Sequence, residues 1–485
     1  MVNFRLTRSA GIILLCFYGF AFGQIPAHLK TPYHDLIKLN NSGKYETAIL
    51  QGKALIAKEP GFPQAYEQLA NAFEKAERTE EAITYFDSLR TESPDNPYCY
   101  YAIALLAKGR EDYKQAMNNV KLCIKLNPEY ARAYLELVNI YGVQEELETP
   151  ANYFHHLLQQ DSLSAAAYYG LGCVHNLKEE WAEGAEAFAR TLELYPDVVH
   201  AYYLKGLMHF KLRDYQMALE TWEEGKETAV RKNDIELEEI LTSYVGKAYH
   251  ELGQHQKAIT HKEMALKLSR QLGNKKREER HLNTLASYYD DIGQRNKAIK
   301  LYGQGLVIAR QIGDKVFEET LLGNKSGVLM YMARYQESIE CGSAALKMAV
   351  ARGDSQAVAN HSTNVGTAYA SKADFQQARR YFRRALKIYR ATSDQKSVCV
   401  LLGNLGYLYR AMGRVSTAID TLQQGLQIAR EIQSKSDELF ILGNLGYAYS
   451  GLSDYKRANR FFHQALFLAD SLGDEAYKGD YLGNI

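Results

Sequence analysis

The stretch Leu401–Ala418, LLGNLGYLYRAMGRVSTA, returns 40 residues later as Ile441–Ala458, ILGNLGYAYSGLSDYKRA. It begins a third time at Tyr481–Ile485, where the sequence ends. Its apolar and small residues stand at i, i+3, i+4 and i+7, which places them on one face of a helix. In the first copy these residues are Leu402, Leu405, Gly406 and Tyr409. The stretch therefore predicts a recurring helix, followed each time by a turn and a second helix.

An alanine near the start of each second helix marks the same register along the chain. In the first half the marker positions are 34 residues apart, at Ala48, Ala82, Ala116, Pro150, Gly184 and Ala218. In the second half they are 40 residues apart, at Ala258, Ala298, Ser338, Ala378, Ala418 and Ala458. A fixed period of this size indicates a solenoid, in which each helix pair buries its apolar face against neighbouring pairs.

A small residue recurs on the first helix of the later repeats. Its positions are Gly246, Ala286, Gly366, Gly406 and Gly446. We interpret it as the place where the second helix approaches closely, with the marker alanine as its small partner on that helix.

These residues resemble the tetratricopeptide repeat family over about residues 29–485. The resemblance implies an all-α fold, a right-handed superhelix (α-solenoid) of about twelve antiparallel helix pairs. Residues 29–238 are predicted to hold six 34-residue units, residues 239–478 six 40-residue units, and residues 479–485 the start of a further, truncated unit. The longer units resemble the Leu-Gly-Asn type of this repeat. The fourth unit departs most, because Pro150 replaces its marker alanine.

A separate segment, residues 1–23, precedes the repeats. Arg5 and Arg8 stand before an apolar run, Gly11–Phe22, and small residues precede Gln24. This is the pattern of a secretory signal peptide. The run is shorter than the ~20 residues that a spanning helix needs, which favours cleavage, and an uncleaved membrane anchor is the alternative. We therefore expect export to the periplasm or cell exterior, in a bacterial envelope.

The composition argues against several function classes. The chain has 58 basic and 57 acidic residues, a balance that argues against generic binding to nucleic acid. Its cysteines are irregularly spaced and include no CxxC pair, so no metal or redox site is expected. The sequence also lacks GxSxG, HExxH and P-loop motifs. We expect no enzymatic activity, no cofactor, no metal and no small-molecule substrate, and we leave membrane association open.

An asparagine recurs at 40-residue steps on the predicted first helices. Its positions are Asn324, Asn364, Asn404, Asn444 and Asn484. The residue three positions later shares its face and is a tyrosine in two repeats, Tyr407 and Tyr447. The resemblance implies that this face is the concave inner wall, where an asparagine contacts the main chain of a bound peptide. A side-chain amide both donates and accepts hydrogen bonds, which suits a peptide backbone. The alternative is that these asparagines only hold neighbouring helices together.

A basic run, QQARRYFRRALKIYR, lies on a predicted second helix. Its basic residues include Arg379, Arg380, Arg383, Arg384 and Lys387. One interpretation is a solvated face, in which long basic side chains cover the aromatic residues beneath them. The other is a docking patch for an acidic partner or a phospholipid surface.

These patterns favour a non-catalytic scaffold or adaptor that binds a peptide or protein segment in its concave groove. An alternative is the extracytoplasmic sensor or recognition half of a larger signalling or protease protein, with an effector module beyond residue 485. A purely structural spacer is the third interpretation. Because the repeat pattern ends without a polar capping helix, we expect either a longer protein or self-association through the uncapped C-terminal end.

Overall fold

A computed structural model describes residues 27–127, 130–144 and 146–483. These residues form 25 helices, and no strand occurs among them. The predicted signal peptide and Asn484 lie outside the described residues. The helices are α1 (Ala27–Asn41), α2 (Tyr45–Lys58), α3 (Pro63–Lys75), α4 (Thr79–Glu92), α5 (Pro97–Gly109), α6 (Tyr113–Leu126), α7 (Ala131–Val143), α8 (Glu148–Gln160), α9 (Ala165–Leu177), α10 (Trp181–Leu194), α11 (Val199–Lys211), α12 (Tyr215–Lys232), α13 (Ile235–Glu251), α14 (His255–Gln271), α15 (Lys275–Asp291), α16 (Arg295–Ile312), α17 (Lys315–Tyr331), α18 (Tyr335–Arg352), α19 (Ser355–Ser371), α20 (Phe375–Ala391), α21 (Gln395–Ala411), α22 (Val415–Glu431), α23 (Lys435–Gly451), α24 (Tyr455–Leu472) and α25 (Glu475–Leu482).

The odd-numbered helices are the first helices of the pairs, and the even-numbered helices are the second. First helices begin every 34 residues from Pro63 to Val199, and every 40 residues from Ile235 to Glu475. Consecutive helices pack against each other from α1 to α14 and again from α16 to α25. The predicted all-α solenoid of antiparallel helix pairs is therefore confirmed. None of the described helices is long and apolar enough to cross a membrane.

The chain divides into two compact units. The first unit runs to Tyr288 and the second begins at Tyr289. The predicted change of period at residues 238 and 239 therefore falls inside the first unit. Within that unit, the Asn41 side chain of α1 donates a hydrogen bond to the carbonyl of Leu272, at 3.2 Å. The first helix thus lies against the connection between α14 and α15.

A small residue on the first helix packs under a large side chain of the second helix. A Cβ atom placed on Gly366 would lie 2.7 Å from the Phe382 ring, and one on Gly446 would lie 2.5 Å from the Phe462 ring. Gly406 faces Leu422 in the same way. The predicted close approach is therefore present, but the covering side chain stands four residues after the marker alanine, one helical turn further on.

Substituting Gly446 tests this close approach. Alanine has a higher helix propensity than glycine by about 1 kcal/mol, but at Gly446 its methyl group would collide with the buried Phe462 ring. Overpacking costs about 1–3 kcal/mol, so Gly446→Ala should lower the melting temperature measured by circular dichroism.

Gly451→Ala is the matched control, because this residue of the same helix has no atom within 4 Å of a built Cβ. This variant should melt at or above the temperature of the parent chain. A Gly446→Ala variant that melts no lower than Gly451→Ala would show that the packing under Phe462 is looser than described.

Candidate functional site on the first helices

Four asparagines, which we call the asparagine row, lie on consecutive first helices of the second unit. They are Asn324 on α17, Asn364 on α19, Asn404 on α21 and Asn444 on α23. Asn324 and Asn364 are exposed, and Asn404 is half-buried. The row is thus most exposed at its N-terminal end.

The last member of the row differs from the others. Asn444 is only 6% exposed, and its Nδ2 donates to the carbonyl oxygen of Phe440 at 2.9 Å, one turn earlier on the same helix. This bond uses one of the amide donors that a ligand would need. Asn444 therefore has a structural contact that favours the alternative interpretation at this position.

Two tyrosines and an arginine form an aromatic and cationic cluster beside the row. Tyr407 is exposed and Tyr447 is half-buried. The guanidinium carbon of Arg410 lies 5.4 Å from the centre of the Tyr407 ring and 5.3 Å from that of Tyr447. Both distances fall in the range of cation–π attraction, so Arg410 joins α21 to α23.

Arg410 was not identified from the sequence. It stands three residues after Tyr407, a spacing that places it next to Tyr407 on the helix surface. Its Nε atom is buried and has no hydrogen-bond acceptor within the described part of the chain.

A buried ion cluster lies next to the row at Asn324. The Glu319 carboxylate accepts hydrogen bonds from Arg352 at 3.0 and 3.1 Å and from the His361 ring at 3.0 Å. Glu319 is 4% exposed, and His361 lies close to Gly323, the residue before Asn324. The cluster connects α17, α18 and α19, and so fixes the spacing between two members of the row.

The first unit contains a matching cluster two periods earlier. Arg277 donates to the Glu239 carboxylate at 2.7 Å, and the His281 ring shares the other oxygen of the same carboxylate. Burial alone would raise the pKa of Glu239, but Arg277 and His281 hold that pKa below its ordinary value. Sequence analysis missed this series, although glutamates at 40-residue spacing signal it: Glu239, Glu279 and Glu319.

The basic residues of α20 lie on the other helix of the pair. Arg380, Arg383, Arg384 and Lys387 are exposed, and Arg379 is half-buried. None of the five forms an ion pair with a carboxylate in the described ranges. Beneath them Phe382 and Leu386 are buried, as the interpretation of a solvated face predicts.

A cavity of about 430 Å³ is lined by residues of α18 and α20. Of the five basic residues only Arg380 and Arg384 line it, and Lys347 of α18 adds a third cation that sequence analysis did not identify. The structure therefore brings two of the predicted residues together with Lys347, and places Arg383 and Lys387 elsewhere on the exposed face.

Like charges along α20 should reduce its stability. Arg379, Arg383 and Lys387 stand four residues apart, and same-sign pairs at this spacing repel each other. We expect Arg383→Glu to convert both repulsions into attractions and to raise the melting temperature by about 1 °C or more at low salt. Circular dichroism melts at low and high salt check this, since screening should remove the gain.

Arg383→Gln removes the charge without creating new ion pairs, and serves as the control. It should show a smaller gain than Arg383→Glu. A melting temperature that falls in Arg383→Glu would mean that Arg383 has a stabilising partner.

The described residues were also compared with the requirements of a metal site and of a reactive thiol. No cluster of side chains able to hold a metal ion occurs among them. Cys99, Cys123, Cys341 and Cys399 are free thiols. Burial raises the pKa of Cys399 to about 11, so that this thiol is a poor nucleophile at neutral pH.

Comparison with family models identifies the repeat. A model of the tetratricopeptide repeat matches residues 236–311, 317–391 and 397–470. Two further models of the same repeat match residues 41–97 and 178–226, and residues 97–130. The segment between residues 130 and 178 contains Pro150, so the predicted unit that departs most from the pattern lies outside these matches.

Two solved structures are similar to the chain at low sequence identity. The chain is similar to BtubC (BKLC) from P. vanneervenii, with 19% identity and a TM-score of 0.42, over 45% of this chain and 92% of that chain. It is also similar to the APC/C hetero-tetramer Cut9-Hcn1, with 14% identity and a TM-score of 0.41, over 94% of this chain and 95% of that chain. No curated protein matches the chain by sequence.

Proposed function

Because the chain belongs to the tetratricopeptide repeat family, we propose that it is a non-catalytic scaffold that binds a peptide or protein segment along the first helices of its second unit. The observation that carries this proposal is the asparagine row, in which Asn324 and Asn364 present exposed amides at equivalent positions of successive repeats.

The chemistry of the row suits an extended polypeptide. Each amide side chain offers two N–H donors and a carbonyl acceptor, which match the acceptor and donor that recur along a peptide backbone. Main-chain recognition of this kind gives affinity without requiring one sequence. The repeats place the amides on successive helices, so one extended segment can contact several of them.

The cluster around Arg410 adds a second kind of contact. Tyr407 exposes an aromatic ring on the helix that carries Asn404, and the Arg410 guanidinium lies against that ring. Tyrosine and arginine are the residues that most often dominate binding energy at protein interfaces. We therefore place the centre of the peptide site between Asn364 and Arg410, and leave Asn444 in its structural role.

Replacing the three accessible members of the row tests the proposal. A peptide selected from a random library for binding to the full chain serves as the probe. We expect the Asn324→Ala, Asn364→Ala, Asn404→Ala triple variant to bind this peptide about tenfold to a hundredfold more weakly, because each lost hydrogen bond costs about 1 kcal/mol. Fluorescence anisotropy of the labelled peptide measures the change.

Asn459→Ala on the second helix α24 is the matched control, and should leave binding unchanged. Circular dichroism should show the same helicity and nearly the same melting temperature for the triple variant and the parent chain. Full peptide binding by a folded triple variant would contradict the proposal. A large loss of stability would instead support a role for these asparagines in holding the helices together.

We also propose that the chain acts outside the cytoplasm, on the strength of the signal-like segment at residues 1–23. Expression of the full sequence in a Gram-negative host should yield a periplasmic product that begins at Gln24, as measured by mass spectrometry of its N-terminus. Leu14→Arg, which interrupts the apolar run, should leave the chain uncleaved in the cytoplasm. A full-length product from both sequences would contradict export by cleavage.

A further inference from the structure

One position in the hairpin core carries a different kind of residue in the seventh repeat. The residue four positions after the marker is a large apolar or aromatic residue in most repeats, and all of these residues are buried. They are Phe86, Val120, Phe154, Phe188, Trp222, Tyr302, Phe382, Leu422 and Phe462. The seventh repeat has Lys262 at this position. A cation there breaks the core pattern and needs a physical reason.

Lys262 is buried without a carboxylate partner. Lys262 is 5% exposed, and its Nζ donates a hydrogen bond to the hydroxyl of Ser243 at 2.6 Å. It forms no ion pair within 4 Å of any described carboxylate, and the nearby Glu239, which is bonded to Arg277 and His281, offsets only part of the cost of its burial. A buried ammonium group that lacks an anionic partner is costly in free energy. Burial accordingly lowers the pKa of Lys262 to about 8.

Lys262 lies at the wall of a cavity on the first-helix side of the first unit. The cavity has a volume of about 450 Å³, within the range of small-molecule sites. Three tyrosines give it apolar surface, Tyr203 on α11, Tyr244 on α13 and Tyr288 on α15. The ring of Tyr288 stacks on His250 at 4.3 Å, which holds that part of the wall in place.

The charges that line the cavity are predominantly positive. Four cations line it, against two carboxylates, Glu239 and Glu251: Lys247, Lys262, Arg277 and Arg280. Since Glu239 is already paired with Arg277, cations remain in excess. The Lys247 ammonium lies 4.3 Å from the centre of the Phe210 ring, and Glu251 one turn further along the same helix offsets only part of the cost of its burial. A ligand that balances these groups carries negative charge.

We propose that this cavity binds a small organic anion, with a carboxylate or phosphate group held by Lys262 and an aromatic or apolar body against Tyr203, Tyr244 and Tyr288. The ligand is bound and not converted. This site goes beyond the proposed peptide site, because it lies in the other unit, uses other residues and takes another class of ligand.

The test uses four probes with the full chain: phenyl phosphate, benzoate, inorganic phosphate and an acidic peptide. Isothermal titration calorimetry measures binding, and thermal melts measure stabilisation. We expect phenyl phosphate and benzoate to bind saturably and to raise the melting temperature, with inorganic phosphate weaker because it lacks the ring. Lys262→Met should weaken phenyl phosphate binding about tenfold or more, since a hydrogen-bonded charge pair is lost.

Lys267→Met on the same helix is the matched control, because Lys267 is exposed and without an ion pair in the described chain. It should bind phenyl phosphate like the parent chain. Lys262→Met should melt at or above the parent chain in the absence of anions, because it removes a buried unpaired cation. Lys262→Leu, which introduces the residue found at Leu422, gives a second variant of the same position should the first fold poorly.

Three results would overturn the proposal. The first is that no probe binds the parent chain saturably. The second is that phenyl phosphate binds the folded Lys262 variants as tightly as the parent chain. The third is that only a longer acidic peptide binds, and that its binding depends on Lys262, which would assign the cavity to a protein partner. None of these results bears on the asparagine row, whose variants are tested separately.

Discussion

The close approach of two helices over a small residue is the constraint on which the rest of the structure depends. In one repeat after another, a glycine of the first helix lies directly under a ring of the second, as Gly366 lies under Phe382 and Gly446 under Phe462. A larger side chain in place of the glycine would collide with the ring and force the two helices of the pair to rotate or move apart. Because the contact recurs at fixed steps, equivalent positions on successive first helices stay in register. The asparagine row is a consequence of that register, since Asn364 and Asn404 stand two residues before such glycines.

Departures from this packing show how the chain tolerates polar groups in its core. In the ninth repeat the larger residue of the contact, Ser326, is on the first helix, and the glycine, Gly342, is on the second. The Ser326 and Ser338 hydroxyls donate hydrogen bonds to each other's backbone carbonyls at 2.8 Å. These polar atoms are thereby satisfied within the hairpin. In the seventh repeat Lys262 donates to the Ser243 hydroxyl and has no ion pair within the described residues, and a cavity lies beside it. The two serine hydroxyls satisfy each other's backbone carbonyls, whereas the Lys262 ammonium keeps a positive charge that the proposed anionic ligand would balance.

The periodic pattern was sufficient to predict the fold and the helix on which each candidate residue lies, because period and side-chain spacing determine the helix face. It could not predict how deeply each of these residues is buried or which side chains it contacts. Asn444 and Asn364 occupy equivalent sequence positions, yet one is buried against its own helix and the other is exposed. Neighbouring side chains decide that difference, and they vary from repeat to repeat. Arg410 and the Glu319 cluster were missed for the same reason, since long side chains reach across helices. Lys262 could have been found by comparing the core positions of all repeats.

Hydrogen–deuterium exchange with a library-selected peptide tests most directly the claim that the first helices of the second unit bind a polypeptide. We predict slower exchange in α17, α19 and α21 when the peptide is bound, with α18, α20 and α22 unchanged. Protection confined to the second helices, above all to the basic helix α20, would contradict the claim and move the binding surface to the other helix of each pair.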